Sequence, residues 1–304
     1  MFGEFFYWIF NMSIIASFTG VIVLLIRSIR AIPRRVSVFL WVVPFLRMCI
    51  PVGLNNPYSL MSLISRFTTK TVTVYRPSDD ISFSVTNSVM AANSYFPIKY
   101  KVDLLANVFA VASLIWLVVA LAMIIALGIL YFTTFREIKD AKHMRDNIYL
   151  SEKVQSPAVY GIFKPRIILP LPYESADNRY ILRHERTHIR RADNLWRLLA
   201  FLTVAVHWFN PLAWLFLKLF LTDIELACDE SAVSQYNEEQ RKEYALSLID
   251  SSESKNLFVS AFGGAKIRLR IENLLSYKRM TRISLWGFSA LILSVLIALL
   301  TNAG

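Results

Sequence analysis

The sequence predicts a mainly α, polytopic membrane protein. It has four transmembrane helices plus a cytoplasmic or membrane-associated α+β domain that includes a re-entrant or amphipathic helical hairpin. Three observations carry this expectation. The 304 residues are 55% hydrophobic with a mean hydropathy of +0.45, too apolar for an ordinary soluble chain of this length. The apolar residues gather in runs of bilayer-spanning length, separated by basic segments. Finally, Arg183-His184-Glu185-Arg186-Thr187-His188 spells H-E-x-x-H, a metal-binding motif that needs a helix.

The first apolar run, Phe5 to Ile26, carries no charge. Glu4 precedes it and no small-residue cleavage site follows, so it reads as a span and not as a signal peptide. Arg27, Arg30, Arg34 and Arg35 follow and place the short loop on the cytoplasmic side, with the N-terminus outside. Residues 1–54 are thus two transmembrane helices and their basic loop. The second span, Val36 to Leu54, contains Pro44, Pro51 and Arg47, the last expected to snorkel toward the outer surface. Residues 55–103 form an extracellular loop in which Thr71 to Tyr75 alternates like a strand. Residues 104–134 are the third span. Residues 135–282 hold 23 of the 33 lysines and arginines, which suits the cytoplasm, and residues 283–304 are the fourth span with a short external C-terminus.

The cytoplasmic segment opens with a basic helix, Phe135 to Met144. Three short strands follow, Asn147 to Leu150, Ala158 to Tyr160 and Arg166 to Leu169, punctuated by Pro157, Gly161, Pro165 and Pro170. They form either a small structural sheet or an edge that pairs with an extended peptide beside the metal. The two cysteines, Cys49 and Cys228, lie far apart and predict neither a disulfide framework nor a thiolate zinc site.

Four residues apart on a helix, His184 and His188 share a face and can bind one metal ion, with Glu185 beside them as general base. The alternative is a solvated, charged helix face, favoured by Arg183, Arg186, Arg190 and Arg191. A catalytic zinc takes three protein ligands. His143, His207 and the acids Asp223, Glu225, Asp229 and Glu230 are the candidates. The apolar stretch Leu195 to Leu221 must cross the membrane twice or not at all if these acids are to meet the histidines. Asn210-Pro211 supplies the turn, and the helix before it should break because the two arms differ in length. Glu225 and Asp229 share a face, suiting one ligand and one carboxylate that supports or joins the metal. Glu230 points about 100° away and is expected to be solvated. His207, beside Trp208, is expected at the membrane interface.

These residues resemble the membrane metallopeptidase domain of the BlaR/MecR-type antirepressors, gluzincin-like zinc proteases that relay beta-lactam sensing. The resemblance covers nearly the whole chain. It rests on Arg47 within Trp41 to Pro51, Ser156-Pro157 through Gly161 to Pro165 and Pro170, His184-Glu185-x-x-His188 with Asp193, His207-Trp-Phe-Asn-Pro211, and Glu225-Leu-Ala-Cys-Asp229-Glu230. It implies Zn2+ held by His184, His188 and Glu225, with Glu185 as the catalytic base and Asp229 supporting or joining the metal shell. It also implies signal transduction, beta-lactam resistance, and cleavage of a cytoplasmic transcriptional repressor or of the chain itself. The self-cleavage segment is expected at Ser260, Ala261 and Phe262, in a β-prone stretch ahead of Gly263-Gly264. The departure is the absence of the family's extracellular penicillin-binding domain with its S-x-x-K nucleophile, so the expectation is a sensorless relative or a truncated one. Implied partners are membrane lipid and the repressor, with a separate sensor protein and a homodimer as further options. Direct nucleic-acid binding is not expected, because the basic residues are dispersed without an aromatic platform. The rival function is a non-catalytic signalling scaffold with a structural zinc, which would have no need of Glu185.

Overall fold

The structure is a computed structural model that describes residues 2–29, 32–50, 55–56, 103–173, 178–252, 267–277, 282–300 and 302–303. Ten helices appear among them: α1 (Phe2–Arg27), α2 (Arg34–Leu40), α3 (Val42–Cys49), α4 (Asp103–Glu137), α5 (Arg179–Arg190), α6 (Asp193–Val206), α7 (Pro211–Ala232), α8 (Glu238–Ser252), α9 (Ile267–Leu275) and α10 (Arg282–Leu300). A sheet of four strands lies between α4 and α5: β1 (Lys142–Arg145), β2 (Ile148–Ser151), β3 (Ala158–Tyr160) and β4 (Arg166–Pro170), in the order β1-β2-β4-β3.

Two helices, not four, are long and apolar enough to cross a membrane among the described residues: Phe5–Arg27 and Val108–Glu137. The second of these is only 17% buried in its most apolar stretch, a surface that water would not tolerate and lipid would. The expected second span is divided into α2 and α3, of seven and eight residues. Pro44 has no N–H to bond the carbonyl of Leu40, so the helix is interrupted one turn earlier, at Trp41. In α10 the shorter stretch Trp286–Val295 is the apolar part that qualifies. The chain is therefore a helical membrane-associated protein with an α+β domain.

Three further expectations need correction. Phe135 to Met144 is not one basic helix: α4 runs on to Glu137, and β1 starts at Lys142 and pairs with β2. Arg47 is buried, 5% exposed, and does not snorkel. Glu230 is buried too, and its carboxylate accepts the N–H groups of Arg34 and Arg35, each at 3.1 Å. Pro33 has no side-chain cap to offer α2, so a carboxylate from α7 satisfies its first-turn donors. The predicted strand Thr71 to Tyr75 lies outside the described residues.

The expected helical hairpin is α6 and α7. The break ahead of it falls at Ala192, whose left-handed φ of 53° ends the line of α5 before α6 begins. Asn210 caps α7 by accepting the N–H of Leu212 at 2.9 Å, and its amide donates to the hydroxyls of Ser13 and Ser17, both at 2.8 Å. At the other end, Asp223 of α7 meets Arg27 of α1. The two helices thus run parallel, and the hairpin reaches about 18 Å back along α1 from the level of Arg27. Gly20 permits this closeness, since a Cβ there would fall 2.1 Å from the ring of Phe216.

Asp223 ties the bundle together. Fully buried, it accepts a fork from Arg27 at 2.7 and 2.9 Å and a third bond from the Trp41 indole at 2.8 Å. The α+β domain is joined through α5, whose Ile181 and Leu182 pack on Ile148, Leu150, Ile167 and Leu169. Ile168 points to the opposite face, against Ile138 and Val154. Both faces of β4 are therefore covered, which accounts for its unbroken apolar run.

Gly20→Ala and Gly128→Ala separate packing from helix propensity. Nothing lies within 4 Å of a Cβ at Gly128, so that variant should melt at or slightly above wild type in detergent. Gly20→Ala should be destabilised by about 1–3 kcal/mol through overpacking against Phe216. Equal melting temperatures would mean that α1 and α7 do not touch there.

Candidate metal centre

α5 presents His184, Glu185 and His188 on its buried side. The Nε2 atoms of the two histidines are 3.1 Å apart. Glu225, from the returning arm α7, brings Oε2 to 3.7 Å from His184 Nε2 and Oε1 to 3.7 Å from His188 Nε2. Bonds of 2.0–2.1 Å in a tetrahedron place ligand atoms about 3.3 Å apart, so these three donors fit one zinc-sized ion. The structure thus brings the Glu225 carboxylate beside the two histidines. Glu185 is buried beside them, and its charge helps to raise the pKa of the Tyr160 phenol at the end of β3, after burial and with Glu137.

Each histidine is held from behind. His188 Nδ1 is 2.6 Å from Asp193 Oδ2, which directs Nε2 at the metal position. His184 Nδ1 is 2.8 Å from the Tyr244 hydroxyl, which donates in turn to Asp229 Oδ1 at 2.8 Å. Asp229 lies 3.2 Å from Nδ1 of His184, on the side away from the ligand atoms, so it supports the histidine and does not join the ligand set. Arg270 of α9 completes the group, with Nε and Nη2 at 2.7 and 2.8 Å from the Asp229 carboxylate and Nη2 at 3.2 Å from His184 Nε2. Arg197 donates to Glu225 Oε1.

These arginines set the charge of the acids. Burial opposes ionisation of Glu225, but His188, His184, Arg197 and Arg270 outweigh it and hold the carboxyl well below its ordinary range. The same opposition applies at Asp229, where Arg270 and His184 prevail.

The other histidines are elsewhere. His143 is exposed in β1, bonded to the Asp146 carbonyl at 2.9 Å. His207 is buried at the hairpin tip, 3.1 Å from the Met48 carbonyl. Cys228, for which no thiolate metal site was expected, has its thiol 3.6 Å from His184 Nδ1, and one ligand atom each of His184, His188 and Cys228 lie within 4.8 Å of one another. Tyr244, Arg270 and Arg197 were likewise missed. No spacing marks them, because they reach the site from separate helices. Ser260, Ala261 and Phe262 lie outside the described residues.

Of the two sheet edges, β3 runs beside α5, and its outward carbonyls are already engaged. The Asn194 amide donates to Val159 O at 3.0 Å and to Gly161 O at 3.2 Å. The residue next to the anchor of His188 is thus the clamp on the edge strand.

A helical membrane-associated scaffold with paired helix histidines and a returning glutamate defines the class of metallopeptidase-like membrane proteins. Comparison with known proteins refines this: the profile of the BlaR1 peptidase M56 family matches residues 7–274, and the chain belongs to that family. It is 31% identical over 115 residues to the regulatory protein BlaR1 of Bacillus licheniformis, covering 36% of this chain and 19% of that protein. It is 26% identical over 123 residues to the methicillin resistance mecR1 protein of Staphylococcus aureus, covering 39% and 21%. With BlaR1 of Staphylococcus aureus the figures are 28% over 129 residues, 40% and 22%. The matched region spans about a fifth of the length of these curated relatives.

The supporting contacts are testable apart from the ligands. Asp193→Asn and Tyr244→Phe should each weaken zinc binding by about 10–100-fold, measured by competition with a chromophoric chelator. Wild-type affinity in both would show that the histidines need no anchoring.

Proposed function

We propose that this chain is an integral membrane zinc endopeptidase whose active site opens on the cytoplasm. The observation that carries the reading is the convergence of His184 Nε2, His188 Nε2 and Glu225 beside the buried Glu185. His184, His188 and Glu225 would hold the ion. When bound, zinc supplies a Lewis acid that acidifies water and polarises a peptide carbonyl. Glu185 accepts the proton released by the attacking water and returns it to the leaving amine. Asp193 and the Tyr244–Asp229 pair fix the imidazole tautomers. The substrate is a cytoplasmic transcriptional repressor, the chain itself, or both. Family membership and the similarity to a regulatory protein and a methicillin resistance protein support a signalling role.

For topology we propose four crossings, by α1, the broken pair α2–α3, α4 and α10, with both termini outside. The arginine-rich stretch Arg27 to Arg35 supports this orientation. Reporter fusions after Arg35 and at Ser251-Ser252 should read cytoplasmic, and one near Ser78 external. An external reading after Arg35 would invert the scheme.

Catalysis has a direct test. His184→Ala and His188→Ala should lose stoichiometric zinc, whereas Glu185→Gln should keep zinc and lose proteolysis, with at least a 100-fold drop in rate. Intact mass in detergent should show any scission between Val259 and Gly263 in wild type and none in Glu185→Gln. Full activity of Glu185→Gln would remove the mechanism.

One observation favours the scaffold reading: the Cys228 thiol lies at the histidines, and thiolates are common in structural zinc sites. Cobalt substitution decides between them. A thiolate-to-cobalt charge-transfer band lost in Cys228→Ala would assign a structural His-His-Cys site. Its absence, with cobalt lost in Glu225→Ala, supports the catalytic set.

A further inference from the structure

The second face of α5 has chemistry that catalysis leaves unused. Arg179, Arg183, Arg186 and Arg190 recur at spacings of four, three and four, so at about 100° per residue they fall within an arc of about 60°. His184, Glu185 and His188 occupy the opposite arc. Arg145, from the end of β1, faces the same stripe. Together with Tyr236 these five arginines line a cleft of about 500 Å³.

Such an arrangement works against the helix that carries it. Like charges four apart repel, and the first turn of α5 holds a cation and no acid, against the helix dipole. Among the described residues, counter-charge is sparse. Arg179 pairs with Glu243 at 3.3 Å, and Arg183 reaches the Gln235 side-chain oxygen at 3.5 Å. The Arg183 Nε is buried without a hydrogen-bond partner. Among the described residues, no carboxylate pairs with Arg145, Arg186 or Arg190. A local arrangement that costs stability, with three of its five cations unpaired by any carboxylate among the described residues, marks a site for an external partner.

The residue type narrows the ligand. All five cations are arginines, whose planar fork suits bidentate binding of phosphate oxygens. The cleft volume lies in the range of small-molecule sites, which fits a compact anion better than an extended chain. We propose that this cleft binds a phosphate-bearing anion, either the headgroup of an anionic lipid or a free phosphate compound of similar size. Arg145, Arg183, Arg186 and Arg190 make the contacts. The site is separate from the metal centre and does not rest on the catalytic reading.

The test uses the full chain in two settings. In detergent, inorganic pyrophosphate is titrated calorimetrically. In nanodiscs of phosphatidylcholine with phosphatidylglycerol, co-purified lipid is counted by native mass spectrometry. Arg186→Gln/Arg190→Gln and, on a different element, Arg145→Gln are compared with wild type, and the thermal melt followed by circular dichroism checks that each variant is folded. Saturable pyrophosphate binding that weakens tenfold or more in both variants supports the free-phosphate source. Enrichment of phosphatidylglycerol that is lost in both variants, without pyrophosphate binding, supports the headgroup source. Binding of neither probe by wild type, or binding unchanged in either folded variant, overturns the proposal. Binding of a polyglutamate peptide in place of both phosphate probes also overturns it and makes the cleft an acidic-protein dock.

Discussion

One buried carboxylate holds the two halves of this protein in register. Asp223 is fully buried, and an isolated carboxylate there would be expensive; the Arg27 fork and the Trp41 indole make it tolerable. The bonds fix α7 against α1 and the start of α3. Two residues further on, Glu225 faces the histidines. The position of the proposed metal ligand is thereby set by an ion pair at the foot of a membrane-length helix. The same helix continues to Asp229, which stands behind His184, and to Glu230, which caps α2, so α7 delivers four acids to four different tasks.

Much of this was legible in the sequence, for physical reasons. H-E-x-x-H encodes its own geometry, since four residues make one helical turn. Asn210-Pro211 encodes a helix start by cap and fixed φ, and the unequal arms of the hairpin demanded a break, found at Ala192. The three short strands are bounded by proline and glycine close to where they were expected. Long-range pairing was not legible. Glu230 reads as solvated from its angle on α7 alone, and only the fold shows the N-terminus of α2 against it. Arg47 reads as an outer-end cation, yet it is buried among neighbouring helices. Tyr244 and Arg270 come from α8 and α9 and carry no motif.

The metal centre alternates charge in depth. Behind each ligating histidine stands an acid, Asp193 or Asp229, and Arg270 stands against Asp229. Glu225 is answered by Arg197 and Arg270. Buried charges are otherwise prohibitive, and this mutual pairing is what allows these ionisable groups to share one buried site. It also gives the histidines one orientation each.

The Asn194 clamp has a consequence for how the domain meets other chains. A bare sheet edge is the usual route by which proteins aggregate or swap strands in a crowded cell. At Val159 and Gly161 the outward carbonyls are instead occupied by a side chain of the protein itself. Any strand adding there must first displace two hydrogen bonds, each worth about 0.5–1.5 kcal/mol. That toll is small for a peptide with a full complement of backbone partners and prohibitive for a chance encounter, so the edge discriminates by persistence of pairing before any side chain is read.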